Sequence, residues 1–179
     1  MTAVVLRPLR VADVPAVLAL QAQCYEARFL ERAESFAAKL ERADGDRTCW
    51  MAWRAGVPEP LAYLVSLTAC EDSLPALDAA QLRRPAVPRF LYLHDLAVAP
   101  AGRALGLGRR LLQTVEQRAR ALQLARIGLV AVQDSVPYWH RQGFAAPAGA
   151  LPEALTLKLA SFGPQARWLE RHLADPTLT

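Results

Sequence analysis

A strand-like apolar run, Phe90 to Val98, closes at Pro100 and gives way to a turn carrying Arg103, Gly106 and Gly108; an amphipathic stretch then continues to about Leu122. This order of strand, glycine turn and helix constrains the chain more than any other feature. Glycines at such a turn let the backbone approach a ligand closely, and the start of the helix offers unpaired N–H groups at its positive end. The turn therefore suits a pyrophosphate. Arg103, Arg109 and Arg110 add fixed positive charge around it.

Two familiar nucleotide sites are excluded by the spacing. A phosphate-binding Walker loop needs Gly-Lys-Ser/Thr, and no lysine lies between Lys39 and Lys158. The dinucleotide fingerprint needs a third glycine, but Arg109, Arg110 and Leu111 follow Gly108. A second motif lies about 35 residues on: Tyr138-Trp139-His140-Arg141-Gln142-Gly143-Phe144. Together, Arg-x-x-Gly-x-Gly after a Val-x-Pro strand end and the later aromatic pair before Gly-Phe resemble the acetyl-coenzyme A motifs of the GNAT acetyltransferase superfamily. The resemblance implies an α/β fold with a mixed, mostly antiparallel central sheet flanked by helices. It implies one domain over 1–179, with coenzyme motifs at 90–144 and a variable, acceptor-binding half at 1–89.

Composition is consistent with a single globular domain, at 53% hydrophobic and 21% charged residues. No apolar stretch approaches the roughly 20 residues of a membrane helix, and the N-terminus lacks a signal-peptide pattern. Cys24, Cys49 and Cys70 form neither a disulfide framework nor a metal motif. A cytoplasmic protein with reduced thiols is expected. The net charge of +4 comes almost wholly from arginine, dispersed along the chain rather than gathered in one tract. A polyanionic coenzyme accounts for several of these arginines, and no nucleic-acid or membrane partner is expected. Homodimer formation is compatible with this reading.

The remaining pattern alternates. Thr2–Leu9 reads as a strand, Asp13 as the cap of a helix running to Cys24, and Phe29–Arg42 as a second amphipathic helix. Thr48–Arg54 and Leu61–Thr68 read as a hairpin. The proline-broken stretch Ala69–Arg89 reads as a long loop, with room for a short helix at Leu74–Leu82. Arg126–Val132 reads as a strand, Ser135–Gln142 as a short helix, Leu155–Ala160 as a last strand and Pro164–Leu173 as a terminal helix.

By the resemblance, Leu96, Ala97 and Val98 border the pantetheine arm, and Arg103, Ala104, Leu105, Gly106, Leu107, Gly108 and Arg109 cradle the pyrophosphate. The family usually carries glycine where this chain has Ala104, a residue that resists positive φ. Tyr138 and Trp139 would flank the thioester end. An amine acceptor arrives protonated, with a pKa near 10, so a base is useful. His94 is the candidate. Strict strand alternation puts Tyr92 and His94 on one face and Asp95 on the other. Asp95 either orients a neighbour or caps a bulge. Leu93-His94-Asp95-Leu96-Ala97-Val98 is similar to the serotonin (arylalkylamine) N-acetyltransferase branch, which has two histidines here; Tyr92 stands at the first. The family's acid is the second aromatic of the later motif, a tyrosine. Here that slot holds Trp139, while Tyr138 lies one residue early, about 100° round a helix.

The resemblance thus implies an acetyl-CoA-dependent N-acetyltransferase acting on a primary amine of a small molecule, and no metal is expected. His94 and Tyr138 are its candidate catalytic residues. A non-catalytic acyl-CoA-binding module and a protein N-terminal or lysine acetyltransferase are the alternatives. Candidate acceptor-pocket pieces are Tyr25–Phe29 and the Cys70-Glu71-Asp72-Ser73 loop, whose acidic pair would attract a cationic amine.

Overall fold

The computed structural model describes residues 3–174. Six strands, β1 (Val4–Pro8), β2 (Trp50–Arg54), β3 (Pro60–Ala69), β4 (Phe90–Val98), β5 (Arg126–Ala131) and β6 (Arg167–His172), form one sheet in sequence order. Every neighbouring pair is antiparallel except β4 and β5. That parallel pair is joined by the helix α3 (Leu107–Ala121), because parallel neighbours need a long crossover.

Helices cover both faces. Leu111, Leu112, Val115 and Ala119 of α3 pack on Leu64, Leu91, Leu93, Ile127 and Leu129, together with Trp139 of α4 (Val136–Arg141). On the opposite face, α1 (Val14–Cys24) and α2 (Ala33–Ala43) bury Val17, Leu20, Phe36 and Leu40 against Met51, Tyr63, Val65 and Leu67. A fifth helix, α5 (Glu153–Ala160), lays Leu155 and Leu159 beside Phe90, Tyr92 and Trp168. No helix among the described residues is long and apolar enough to cross a membrane.

Several expectations shift. The first strand begins at Val4; Thr2 lies outside the described residues. Asp13 does not cap α1 with its side chain: its carboxylate accepts two hydrogen bonds from Arg7 and one from the Arg10 N–H. The second helix begins only at Ala33, after a short 3-10 turn (Ala27–Phe29) and an extended link. The loop at 70–89 carries no helix at Leu74–Leu82.

The two final elements exchange type. Leu155, Leu157 and Leu159 mimic strand alternation, yet the segment is helical, because Leu155 and Leu159 share a face at i,i+4 and Leu157 is left exposed. The last helix expected is instead β6, antiparallel to β5. Adjacent Trp168 and Leu169 enter cores on opposite sides of the sheet, which only an extended chain allows. Gly128 on β5 makes room for Trp168, whose indole occupies the space of any Cβ there.

Candidate active site

The site begins with an irregularity in β4. Ser66 of β3 pairs with Leu93 and the preceding Val65 pairs with Asp95, so His94 has no partner position. His94 is the extra residue of a β-bulge. Leu93 and Leu96 both face α3. Tyr92, His94 and Asp95 all turn toward the α1/α2 side, which corrects the alternation expected from spacing: Asp95 does not point away from His94's face. The same position ends the β4–β5 ladder, which pairs only Leu91 with Ile127, Tyr92 with Gly128 and Leu93 with Leu129.

Beyond that point the two parallel strands part, and a cavity of about 600 Å³ opens between them. Leu96, Ala97 and Val98 line one wall, while Val132, Gln133 and Ser135 after β5 line the other. Its outer end is the glycine turn, where Arg103, Gly106, Gly108 and Arg109 border the cavity. Gly106 holds φ +64° as it enters α3, a conformation that favours glycine. Ala104 lies in the 3-10 turn Pro100–Leu105 and needs no positive φ, so its departure from the family glycine causes no strain. Ala104, Leu105 and Leu107 do not border the cavity; Leu107 is a core side chain under α3.

The inner end carries the titratable groups. The His94 ring is 2% exposed, and its Nε2 lies 2.6 Å from Glu31 Oε1. Its Nδ1 is buried without a hydrogen-bond partner among the described residues. Tyr92 lies edge-on beneath the ring at 5.7 Å and is stacked in turn on Trp168. Glu31 comes from the extended link before α2. Its second oxygen accepts hydrogen bonds from Lys39 Nζ at 2.8 Å, Ser35 Oγ at 3.1 Å and the Asp78 N–H at 2.6 Å. Burial alone would raise the Glu31 carboxyl, but its contacts with His94 and Lys39 hold it well below the usual carboxylate range.

Asp95 is the second buried carboxylate. Tyr25 Oη donates to it at 2.5 Å and Tyr63 Oη at 2.6 Å. Burial pushes its carboxyl up, against the pull of the two phenols. Both tyrosines are raised well above 10, by burial first and by the adjacent carboxylate second. Asp95 therefore ties α1 to β3 and β4 beside the bulge.

Tyr138 and Trp139 both border the cavity but differ in seat. Trp139 packs edge-on against Phe144 within the α3-side core, 7% exposed. Tyr138 reaches across to α3, its hydroxyl over Gly108. Burial raises its phenol. His140 and His172 are exposed, away from the cavity. Glu71 and Asp72 also lie outside it: Glu71 is held by Arg126 and Arg89, and Asp72 by Arg83. Tyr25, Phe29, Leu77 and Phe162 do line the cavity. Spacing could not reveal Glu31, Leu77 or Phe162, which lie far from either motif.

Two features test whether a coenzyme arm fits here. The Oε1 of Gln133 is a buried acceptor without a partner in the cavity wall, suited to an amide N–H. The first N–H groups of α3 and the guanidinium groups of Arg103 and Arg109 suit a pyrophosphate. The residues fit.

A splayed parallel pair, a glycine turn at a helix start and an aromatic pair thus enclose one cavity at the edge of the β4–β5 ladder. The model of the Acetyltransferase (GNAT) family matches residues 14–144, and the chain belongs to that family. No curated protein matches. Among solved structures, Ard1 from Thermoplasma volcanium is similar at TM-score 0.70 and 13% identity, over 97% of this chain and 99% of that one. The ribosomal-protein-S18-alanine N-acetyltransferase from Escherichia coli is similar at 0.64 and 15%, over 99% of both. The paia N-acetyltransferase from Thermoplasma acidophilum, solved with coenzyme A, is similar at 0.64 and 11%, over 95% and 99%.

Proposed function

We propose that this protein transfers the acetyl group of acetyl-CoA to a primary amine of a small molecule, with His94 as the base. One observation carries the reading. A buried histidine with one unpartnered ring nitrogen lines the cavity at the point where β4 and β5 part.

Arg103, Gly106, Arg109 and the N–H groups opening α3 would hold the pyrophosphate, while Val98 and Gln133 border the arm. Bound acetyl-CoA supplies an activated thioester carbonyl. His94 Nδ1 takes one proton from the incoming ammonium, directly or through one water. The free amine then attacks, the new N–C bond forming as C–S breaks, and the nitrogen's second proton ends on the departing sulfur. A thiol pKa near 8–9 makes that sulfur a tolerable leaving group without a dedicated acid. Phe29, Leu77 and Phe162 close the acceptor end, and the cavity falls within the roughly 300–1,000 Å³ typical of small-molecule sites. A cytoplasmic location suits the three unpaired cysteines. The reading calls for no nucleic-acid or membrane partner.

The test is free-thiol release from acetyl-CoA across an amine panel, with a no-acceptor control and a peptide arm. Turnover with a small amine, reduced about 10²–10⁴-fold in His94→Ala with coenzyme affinity kept, supports the reading. Turnover only with peptides would shift the acceptor to protein. Coenzyme binding without any turnover would leave a binding module.

A further inference from the structure

We infer that Glu31 is a positioning residue that fixes the tautomer of His94. Its carboxylate keeps the ring proton on Nε2 and so makes Nδ1 the nitrogen that receives the substrate proton, an inference that rests on the reading of His94 as base.

Glu31 Oε2 is surrounded by groups that donate: the Lys39 ammonium, the Ser35 hydroxyl and the Asp78 backbone N–H. The single proton of Ser35 is shared between Glu31 and the Ala79 carbonyl, each at 3.1 Å, but Lys39 and the Asp78 N–H can only donate. The carboxylate thus remains an acceptor on both oxygens. At 2.6 Å from Oε1, His94 Nε2 has to be the donor. Nδ1 is left with its lone pair and no partner. The pairing follows the logic of a serine-protease triad, in which a buried carboxylate orients an imidazole and stabilises the imidazolium formed during proton transfer. Glu31 and Lys39 are absent from both sequence motifs and enter from the N-terminal half.

The same geometry dictates what a single-atom change does. In Glu31→Gln the amide oxygen is held on the Oε2 side by the Asp78 N–H and Ser35, so the NH₂ group faces His94. A ring facing a donor must accept at Nε2, which forces its proton onto Nδ1. The base atom is lost without loss of the histidine.

The experiment reads the His94 ring nitrogens by long-range ¹H–¹⁵N correlation in the labelled full-length protein between pH 6 and 9. The exposed His140 and His172 are assigned by substitution. Wild type is expected to show the Nε2–H form, and Glu31→Gln the Nδ1–H form. Turnover in that variant is expected to fall about 10²–10⁴-fold with coenzyme affinity, read by calorimetry, within about twofold. Because Glu31→Gln leaves Lys39 buried and unpaired, the neutral pair Glu31→Gln/Lys39→Met is measured alongside, and the wild-type spectrum stands without either. An Nδ1–H ring or a persistently doubly protonated ring in wild type would overturn the inference. So would an unchanged tautomer and full turnover in Glu31→Gln. Full turnover in His94→Gln would instead remove the base assignment, and it is told apart because the tautomer exchange is read without any substrate.

Discussion

The hydroxyl of Tyr138 lies in the space that a side-chain carbon at Gly108 would fill. Gly108 is an ordinary helical position, so its lack of a side chain serves contact rather than backbone freedom. The phenol bridges α4 to the first turn of α3, across the mouth of the cavity.

Gly108→Ala should therefore displace the phenol, an overpacking cost of about 1–3 kcal/mol offset in part by the roughly 0.5–1 kcal/mol that alanine gains over glycine in a helix. Tyr138→Phe, which removes the colliding oxygen, should recover most of that loss in the double variant. Thermal melts of the four proteins measure the coupling. Strict additivity would refute the contact.

Gly106 carries a different requirement. Its left-handed backbone makes Gly106→Ala cost on the order of 1–2 kcal/mol through strain alone. Gly106→Glu adds a carboxylate where a pyrophosphate is proposed to rest. Calorimetry should show coenzyme affinity reduced in the alanine variant and abolished in the glutamate variant. Equal affinity in all three proteins would remove the coenzyme from this turn.

The aromatic pair should divide by role. Tyr138→Phe keeps the ring and should leave acetyl transfer nearly unchanged, since the hydroxyl lies over Gly108 at the start of α3. Trp139→Ala should cost about 3–5 kcal/mol, because the indole is packed into the α3-side core. A strong turnover loss in Tyr138→Phe, with melting temperature and coenzyme affinity intact, would make the phenol an acid after all.

Acid should weaken the fold through Glu31. Its carboxyl is held low in the folded state, so the stability it contributes is fully present above the ordinary glutamate value of about 4.3 and drains away as pH falls from there toward the depressed folded value. At neutral pH, Glu31→Gln should be less stable than wild type by about 3–5 kcal/mol, the usual cost of unpairing a buried ion. Denaturant titrations at pH 7 and pH 3 should show that gap narrowing at the lower pH. A gap of constant size would mean that folding does not depress the carboxyl, and a gap that widened at pH 3 would mean that Glu31 is not ionised in the native protein.

The sequence carried the boundaries of β4 and the course of α3 because prolines, glycines and leucine spacing punctuate them locally. It hid the features that depend on a second element. The bulge at His94 exists only relative to β3, and counting along β4 alone assigns each residue an alternating face. Glu31 fell inside an apparent helical run from Phe29 to Arg42, since Leu30, Ala33, Phe36, Ala37 and Leu40 keep helical spacing through the extended link. Leu155 and Leu159 satisfy both a strand and a helix period, so the packing partners decided. The steric meaning of Gly108 needed Tyr138, thirty residues away.

Removing His94 from β4 on paper leaves Leu93, Asp95, Leu96 and Ala97 in perfect alternation with the pairing of β3 intact. The proposed base is thus the one residue of the strand that the sheet does not use. A one-residue deletion there would preserve the hydrophobic pattern and erase the chemistry. The converse insertion into a regular strand would create a kink, a parting of neighbours and a new functional position in a single event.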